Sequence, residues 1–480
     1  MMNVAKDVYH PLIHVHHQSG QGHHSYFFGV AGRILLVHNL KIMKTIITTF
    51  IALFMLTGSA FAQTDTVHTN LLKDIPAWMA EYHVPCVGVG IIENGQIKWV
   101  KNFGDLQAGH PAPENSLFNI ASQTKPVTAM LTLKLVETGQ WDLDEPLAHY
   151  WIDPDIAGDP YLMKLTTRFV LSHQTGFPNW RSDNGGTKLK FRFEPGTASG
   201  YSGEGFEYLR RALESKFHQP LNVLMATYLF KPLGMKNTQY WSENLDTTRF
   251  AMWHDGQGKR YTTSIQTSVN AADDLITTIE DYSKLGIYAM KLANEGNPVY
   301  ADMVKPQRRT KSGNASGLGW GLVDGLPGGA YAIQHGGSDI GVRTMAVFLP
   351  GSKSGVVVMT NADNGEFICD RIIKRALPYG AQVLATMNQS ATSHERIAIA
   401  DQLIESYTGT YAQSNGKLVK VEKDGNALKI SGDGVPTVTV LPESANKFFM
   451  EGYDVQLQFP DKNSLVVFEG GKQVLKVNRQ

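Results

Sequence analysis

A chain of 480 residues, 42% hydrophobic and 18% charged, has material for a sizeable core and is too long for one small domain. Lys plus Arg and Asp plus Glu both number 44, giving a formal net charge of zero and a sequence pI near 7.3. That balance excludes the global field that gathers nucleic acid or an anionic membrane, so neither is expected as a partner.

The chain opens on a stretch holding His10, His14, His16, His17, His23 and His24. Its one acidic residue is Asp7 and it has no thiol to complete a ligand set, and no metal is assigned to it. From Lys44 a basic start leads into an apolar run too short to span a bilayer, followed by Ala60-Phe61-Ala62. This reads as a secretory signal peptide cut between Ala62 and Gln63. Signal peptides begin at the initiator Met, and Met43 stands immediately before Lys44, so 1–42 is expected to be a non-native upstream extension and 43–62 the signal peptide. No cysteine follows the cut, so no lipid anchor is implied. The mature chain is expected to be periplasmic or secreted, with no stable membrane anchor. Its two cysteines, Cys86 and Cys369, form either a disulfide or two buried free thiols.

Residues 63–82 read as a helix with Leu71, Leu72, Ile75, Trp78 and Met79 on one side. Cys86–Ile92 and Ile97–Phe103, joined by Asn94-Gly95, form a β-hairpin with a type I′ signature. The next stretch, Phe118 to Met130, organises the rest. Proline lacks an N–H and is tolerated only in the first turn of a helix, so Pro126 sets the helix start near Ala121 or Ser122. Val127, Met130, Leu131 and Leu135 recur at helical spacing and Gly139 is a stop, which predicts a buried amphipathic helix of roughly four turns. Ser122 then sits at the N-terminus and shares a face with Lys125.

That pattern suits nucleophilic catalysis. A serine hydroxyl needs a neighbour to take its proton, and a lysine does so when its pKa is lowered enough to leave it neutral. The helix N-terminus adds N–H groups and a positive dipole end for an oxyanion. Alone, Ser-x-x-Lys is a weak signal, because it also describes a serine cap followed by a solvated lysine.

The middle of the chain, to about residue 310, is dense in turn signals and reads as mostly helical. From Ala330 three strands (331–335, 342–349 and 355–360) form an antiparallel meander, with His335 expected at a strand end, and a helix follows around Phe367 to Ala376. The fold class is α+β: an antiparallel sheet flanked by helices with a mostly helical insertion, over 63–385. A polar linker at 386–399 leads to a small all-β domain at 400–480, taken as structural or substrate-guiding.

Two further stretches complete a pattern: Tyr201 in the loop Pro195–Gly203, and His335-Gly336-Gly337-Ser338. In order after Ser122-x-x-Lys125, they resemble the serine β-lactamase and penicillin-binding-protein superfamily, in its class C-like branch of β-lactamases, esterases, D-aminopeptidases and D,D-peptidases. Leu171–Pro178, Lys231–Met235, Leu275–Asp281 and Gly317–Leu322 resemble recurrent segments of that branch, and the likeness covers about 70–380.

The resemblance implies Ser122 as the acylated nucleophile, with Lys125 and Tyr201 sharing proton transfer. His335-Gly336-Gly337 stands for the Lys-Thr-Gly strand motif, and the N–H groups of Ser122 and Ser338 would form the oxyanion hole. It implies no cofactor and no metal, and a small-molecule or short-peptide substrate. Two departures bear on substrate. Gly203 stands where the family usually has Asn, which removes an amide for a substrate acyl-amide group, with Glu204 or Glu207 as the candidate replacements. His335 in place of Lys weakens a fixed charge that β-lactam carboxylates would use. The expectation is a secreted serine hydrolase, esterase-like before D-aminopeptidase or β-lactamase. The alternative is a penicillin-binding or cell-wall-binding protein acylated with little turnover.

Overall fold

Asn94 and Gly95 adopt φ of 53° and 74°, the left-handed pair that a type I′ turn needs, and join the strands Cys86–Glu93 and Gln96–Gln107. The computed structural model describes residues 69–480 apart from 185, 242–244, 263–267, 310–313, 388–395, 414–415, 433–434, 451–454 and 470. The expected upstream extension, its histidines and the signal peptide therefore lie outside the described residues, as does most of the linker.

The hairpin is part of a nine-stranded antiparallel sheet. In spatial order its strands are His110–Pro111, Gln96–Gln107, Cys86–Glu93, Ser354–Thr360, Val342–Leu349, Ala332–Asp339, Gly321–Val323, Asn314–Ser316 and Arg308–Arg309. The three strands legible in the sequence are thus neighbours, and the sheet extends past them through strands too short to show an alternating pattern.

Both faces of the sheet are covered, which is why its central strands read as unbroken apolar runs. Val87, Val89, Val347, Val356 and Val358 pack with the helices at 69–82 and Gly365–Ala376. Their neighbours Ala346, Phe348, Val357 and Met359 pack on the opposite side with the helical middle of the chain.

At the centre of that second layer lies the helix Thr124–Glu137, entered through a 3₁₀ turn at Ala121–Gln123. It is not amphipathic as predicted. Every residue from Thr124 to Leu133 is buried, because the sheet covers one side and the surrounding helices cover the rest. Its end follows expectation: Gly139, at φ 69°, donates to Val136 O while Gln140 N–H reaches back to Leu135 O.

The middle region is helical at Gly203–Phe217, Leu221–Leu233 and Ile279–Asn294. It also contains a small sheet that the sequence reading missed, Phe118–Asn119 with Leu275–Thr277 and Gln239–Tyr240. Strands of two or three residues carry no period, yet this one pins the segment entering Ser122: Phe118 pairs with Thr277 and Asn119 with Ile276.

Cys86 and Cys369 are free and buried, and burial raises both thiols above their ordinary pKa. After a helix at Asp401–Tyr407, eight strands between Gly409 and Arg479 close into a barrel whose core includes Tyr411, Phe448 and Phe459. Among the described residues no helix is long and apolar enough to cross a membrane.

Candidate active site

The turn that presents Ser122 is held from all sides. Ala121 has a φ of 45°, a strained value for a residue with a Cβ. Its N–H donates to Asn119 Oδ1 at 2.7 Å and its carbonyl accepts from Thr124 Oγ1 at 2.7 Å. Thr344 Oγ1 donates to Ile120 O, Gln123 Nε2 to His335 O, and Tyr282 OH to Gln123 O. The cross-links come from residues more than a hundred positions away, so the strained turn is determined by the tertiary structure.

One helical turn on, Lys125 meets the serine. Its Nζ donates to Ser122 Oγ at 3.1 Å and to Ala272 O at 2.9 Å. The side chain is 1% exposed, and burial lowers the ammonium pKa to about 8, with Asp273 acting against that shift. Asp273 is itself raised by burial and by Asp274. Carboxylate oxygens of Asp273, Asp274 and Asp339 lie within 4.8 Å of one another, the spacing of a cation site, but Lys125 already places a positive charge beside them.

Tyr201 stands over the pair. Lys125 Nζ is 4.7 Å from its ring centroid, and Tyr201 and Ser122 line the same cavity. The side chain is partly open at the rim of the site, and desolvation pushes its pKa up to about 12. The phenol is therefore protonated at neutral pH, and of the two groups beside Ser122 it is Lys125 whose pKa lies nearer neutrality.

His335 is a correction. It does not end its strand; Ala332–Asp339 runs through the whole His-Gly-Gly-Ser-Asp segment, pairing Gly336 with Met345, Gly337 with Thr344 and Ser338 with Arg343. The strand continues because partner-strand hydrogen bonding outweighs the weak β-propensity of two glycines. Gly337 is required by close approach: a Cβ there would lie 2.2 Å from Ile120 O, beside the catalytic turn. Burial, with Lys125 adding to it, lowers the His335 imidazole to about 4, so the ring is neutral, and Nδ1 lies 2.7 Å from Gly336 O as its donor.

Ser122, Tyr201, Gly336, Gly337 and Ser338 line one cavity of 350 Å³, so the structure brings together the residues picked from sequence. Its far wall is Arg343, Glu366 and Asp370. Glu366 is raised by desolvation, with the charge of the barrel residue Glu469 adding to that shift. A second cavity of 320 Å³ holds His335 with Trp320 and shares Tyr201 and Gly336 with the first.

Neither candidate for the missing amide serves. Glu204 is committed to Arg181, and Glu207 to Arg210 and the Ala271 N–H. Asn179 does line the Ser122 cavity. Its Oδ1 accepts from Gly203 N–H at 2.9 Å, which fixes the amide orientation.

Sequence reasoning also missed His173. Its ring lies 4.4 Å from that of Tyr201, Nδ1 accepts from Ser202 N–H at 3.3 Å, and its carbonyl accepts from Gly200 N–H. Burial and Lys125 keep it well below its ordinary pKa, hence neutral. The signal was present in Leu171–Pro178, a segment read as recurrent but given no role.

A family model described as Beta-lactamase matches residues 71–377, more than half of the chain. The chain is 22% identical over 431 residues to Penicillin-binding protein 4* of Bacillus subtilis (strain 168), covering 79% of this chain and 92% of that protein. It is 27% identical over 198 residues to Esterase EstB of Burkholderia gladioli, covering 35% of this chain and 50% of that protein. Among solved structures, the octameric penicillin-binding protein homologue from Pyrococcus abyssi superposes with a TM-score of 0.59 at 18% identity, covering 85% of this chain and 99% of that one.

Proposed function

This chain belongs to the beta-lactamase family of serine hydrolases, and we propose that it acts through an acyl-enzyme on an ester or a small amide bond, with Ser122 as nucleophile. The observation that carries the reading is the 3.1 Å contact between Ser122 Oγ and a lysine amine whose pKa burial lowers from 10.5 to about 8.

Lys125 takes the Ser122 proton as Oγ attacks the carbonyl. The bond to the leaving group breaks as the tetrahedral intermediate collapses, and Tyr201 passes its proton to the departing oxygen or nitrogen while Lys125 returns to the phenol the proton taken from Ser122. Water enters by the reverse relay and releases the acid. Ser122 and Ser338 face one cavity, which suits their N–H groups to the developing oxyanion.

Ester substrates are favoured over β-lactams because a neutral His335 supplies no cation for a substrate carboxylate, and in the Ser122 cavity Arg343 faces two carboxyl groups, Glu366 and Asp370. The likeness to an esterase supports the same ranking. The pattern at 43–62 extends the proposal to export with cleavage after Ala62, which N-terminal sequencing of the exported protein would check.

The test is steady-state hydrolysis of a p-nitrophenyl short-chain ester beside a chromogenic cephalosporin, with Ser122→Ala as control. Ester turnover lost in the variant, with little cephalosporin turnover, is expected. Fast cephalosporin turnover would make the protein a β-lactamase. A stoichiometric burst without cycling would favour the binding-protein reading, for which the missing motif amide at Gly203 speaks.

A further inference from the structure

A cavity beside the catalytic region takes no part in the mechanism above. It measures 670 Å³, inside the range of about 300–1,000 Å³ typical of small-molecule sites, and is walled by Trp151, Trp180 and Tyr208 with polar side chains between them.

The geometry points to a carbohydrate subsite: we propose that this cavity binds a neutral pyranose ring, alone or within an oligosaccharide, on the indole of Trp180. Trp180 and Trp151 both line the cavity. Trp151 is set edge-on to Tyr208 at 4.7 Å, and Tyr208 OH is tied to Trp151 O, so that platform is fixed. Fixed aromatic surface suits the apolar C–H face of a sugar ring, whose hydroxyl rim then needs donors and acceptors around it.

Those groups are present, and most of the charged ones are already held in ion pairs. Arg181 Nε donates to Glu204 at 2.8 Å and its Nη2 to Asp153 at 3.1 Å; Glu207 is held by Arg210 at 2.7 Å. Such pairs keep free lone pairs and N–H groups for hydroxyls, and Arg211 adds further donors at the rim. An ionic ligand would compete with the pairs. A neutral polyhydroxyl ring would not.

The same arrangement accounts for the motif departure. A Cβ at position 203 would lie 2.6 Å from Trp180 Cη2 and 2.8 Å from Cζ2. The indole rests on the bare Gly203 backbone, so the side chain that the family usually carries there would occupy the space of the sugar platform. Asn179 lines the Ser122 cavity while Trp180, the next residue, lines this one, so one loop contributes to both cavities.

The experiment is a tryptophan-fluorescence titration of the full chain carrying Ser122→Ala with maltotriose and, separately, N,N′-diacetylchitobiose, with adenosine and citrate as comparison ligands. Saturable binding of at least one sugar is expected, weakened about tenfold in Trp180→Ala, whose folding is followed by circular dichroism. Arg211→Ala tests the rim without touching the core, since Arg211 is exposed, lines the cavity and makes no ion pair among the described residues; it should weaken the sugar about threefold. Absence of binding by both sugars at tens of millimolar overturns the proposal. So does sugar binding that survives Trp180→Ala unchanged, or Trp180-dependent binding of adenosine or citrate alone. Because binding is read in a protein without its nucleophile, the outcome is independent of whether the hydrolase reading holds.

Discussion

The catalytic region and the C-terminal barrel are built to different standards of strain. Around Ser122, three residues with a Cβ hold positive φ: Ala121 at 45°, His173 at 56° and Asp274 at 64°. Each costs about 1–3 kcal/mol and persists only where surrounding contacts over-determine it. The same region buries Lys125, Gln123 and Thr128. Among the described residues of the barrel, no non-glycine residue has positive φ, and the buried polar residue is Ser464. Its core is aromatic and aliphatic, with Phe459 stacked 4.3 Å from Tyr407 and packed edgewise on Phe448 and Tyr411. Strain and buried charge gather where a proton must move, and the barrel, free of both, is an ordinary hydrophobic core.

The sharpest way to break this contrast is at Lys125. Lys125→Ala should lower kcat for the ester by about 10⁴-fold or more, because the nucleophile and its base act as a unit. A loss under tenfold would mean that the buried amine is not the base. Tyr201→Phe removes the proton donor but keeps the ring, and kcat should fall about 10²–10³-fold with KM nearly unchanged.

The barrel answers a different measurement. Phe459→Ala should cost about 3–5 kcal/mol in denaturant unfolding, as for other large-to-small core changes, while kcat/KM of the folded protein stays within about twofold. Parallel loss of activity would show instead that the barrel, through Glu469, shapes the catalytic cavity.

The smallest effect is in pH. With the Lys125 pKa near 8, kcat/KM should fall about tenfold per pH unit below 8 and level off above it. Stability has its own sign. The folded pKa lies below the ordinary 10.5, so between about 8 and 10.5 the unfolded chain binds the extra proton and stability rises with pH. Below about 8 both states are charged and the penalty for burying the ammonium is complete. A stability curve flat across pH 8–10 in the wild type, or a rise there that persists in Lys125→Met, would contradict the lowered pKa.

Much of the molecule was legible before its structure. Pro126 and Gly139 bounded the serine helix, Asn94-Gly95 made the hairpin, and turns at Asp424-Gly425, Ser444-Ala445 and Lys462-Asn463 separated barrel strands. These are local signals: a fixed φ, a missing N–H, a side chain that favours a turn. The spacing of Ser122 and Lys125 was enough to place amine and hydroxyl together for the same reason, since three residues along a helix return to one face.

What only the tertiary structure decided is the chemistry of those groups. The lysine is a candidate base because Ala272 O, Tyr201 and a fully buried helix remove its water. His335 is neutral and mid-strand because its partner strand and Lys125 surround it, and His173 supports Tyr201 from 28 residues away in sequence. Gly203 looks like a loss in the motif and is, in space, the floor under an indole. Burial and close approach are made between segments far apart in the chain, and no local pattern encodes them.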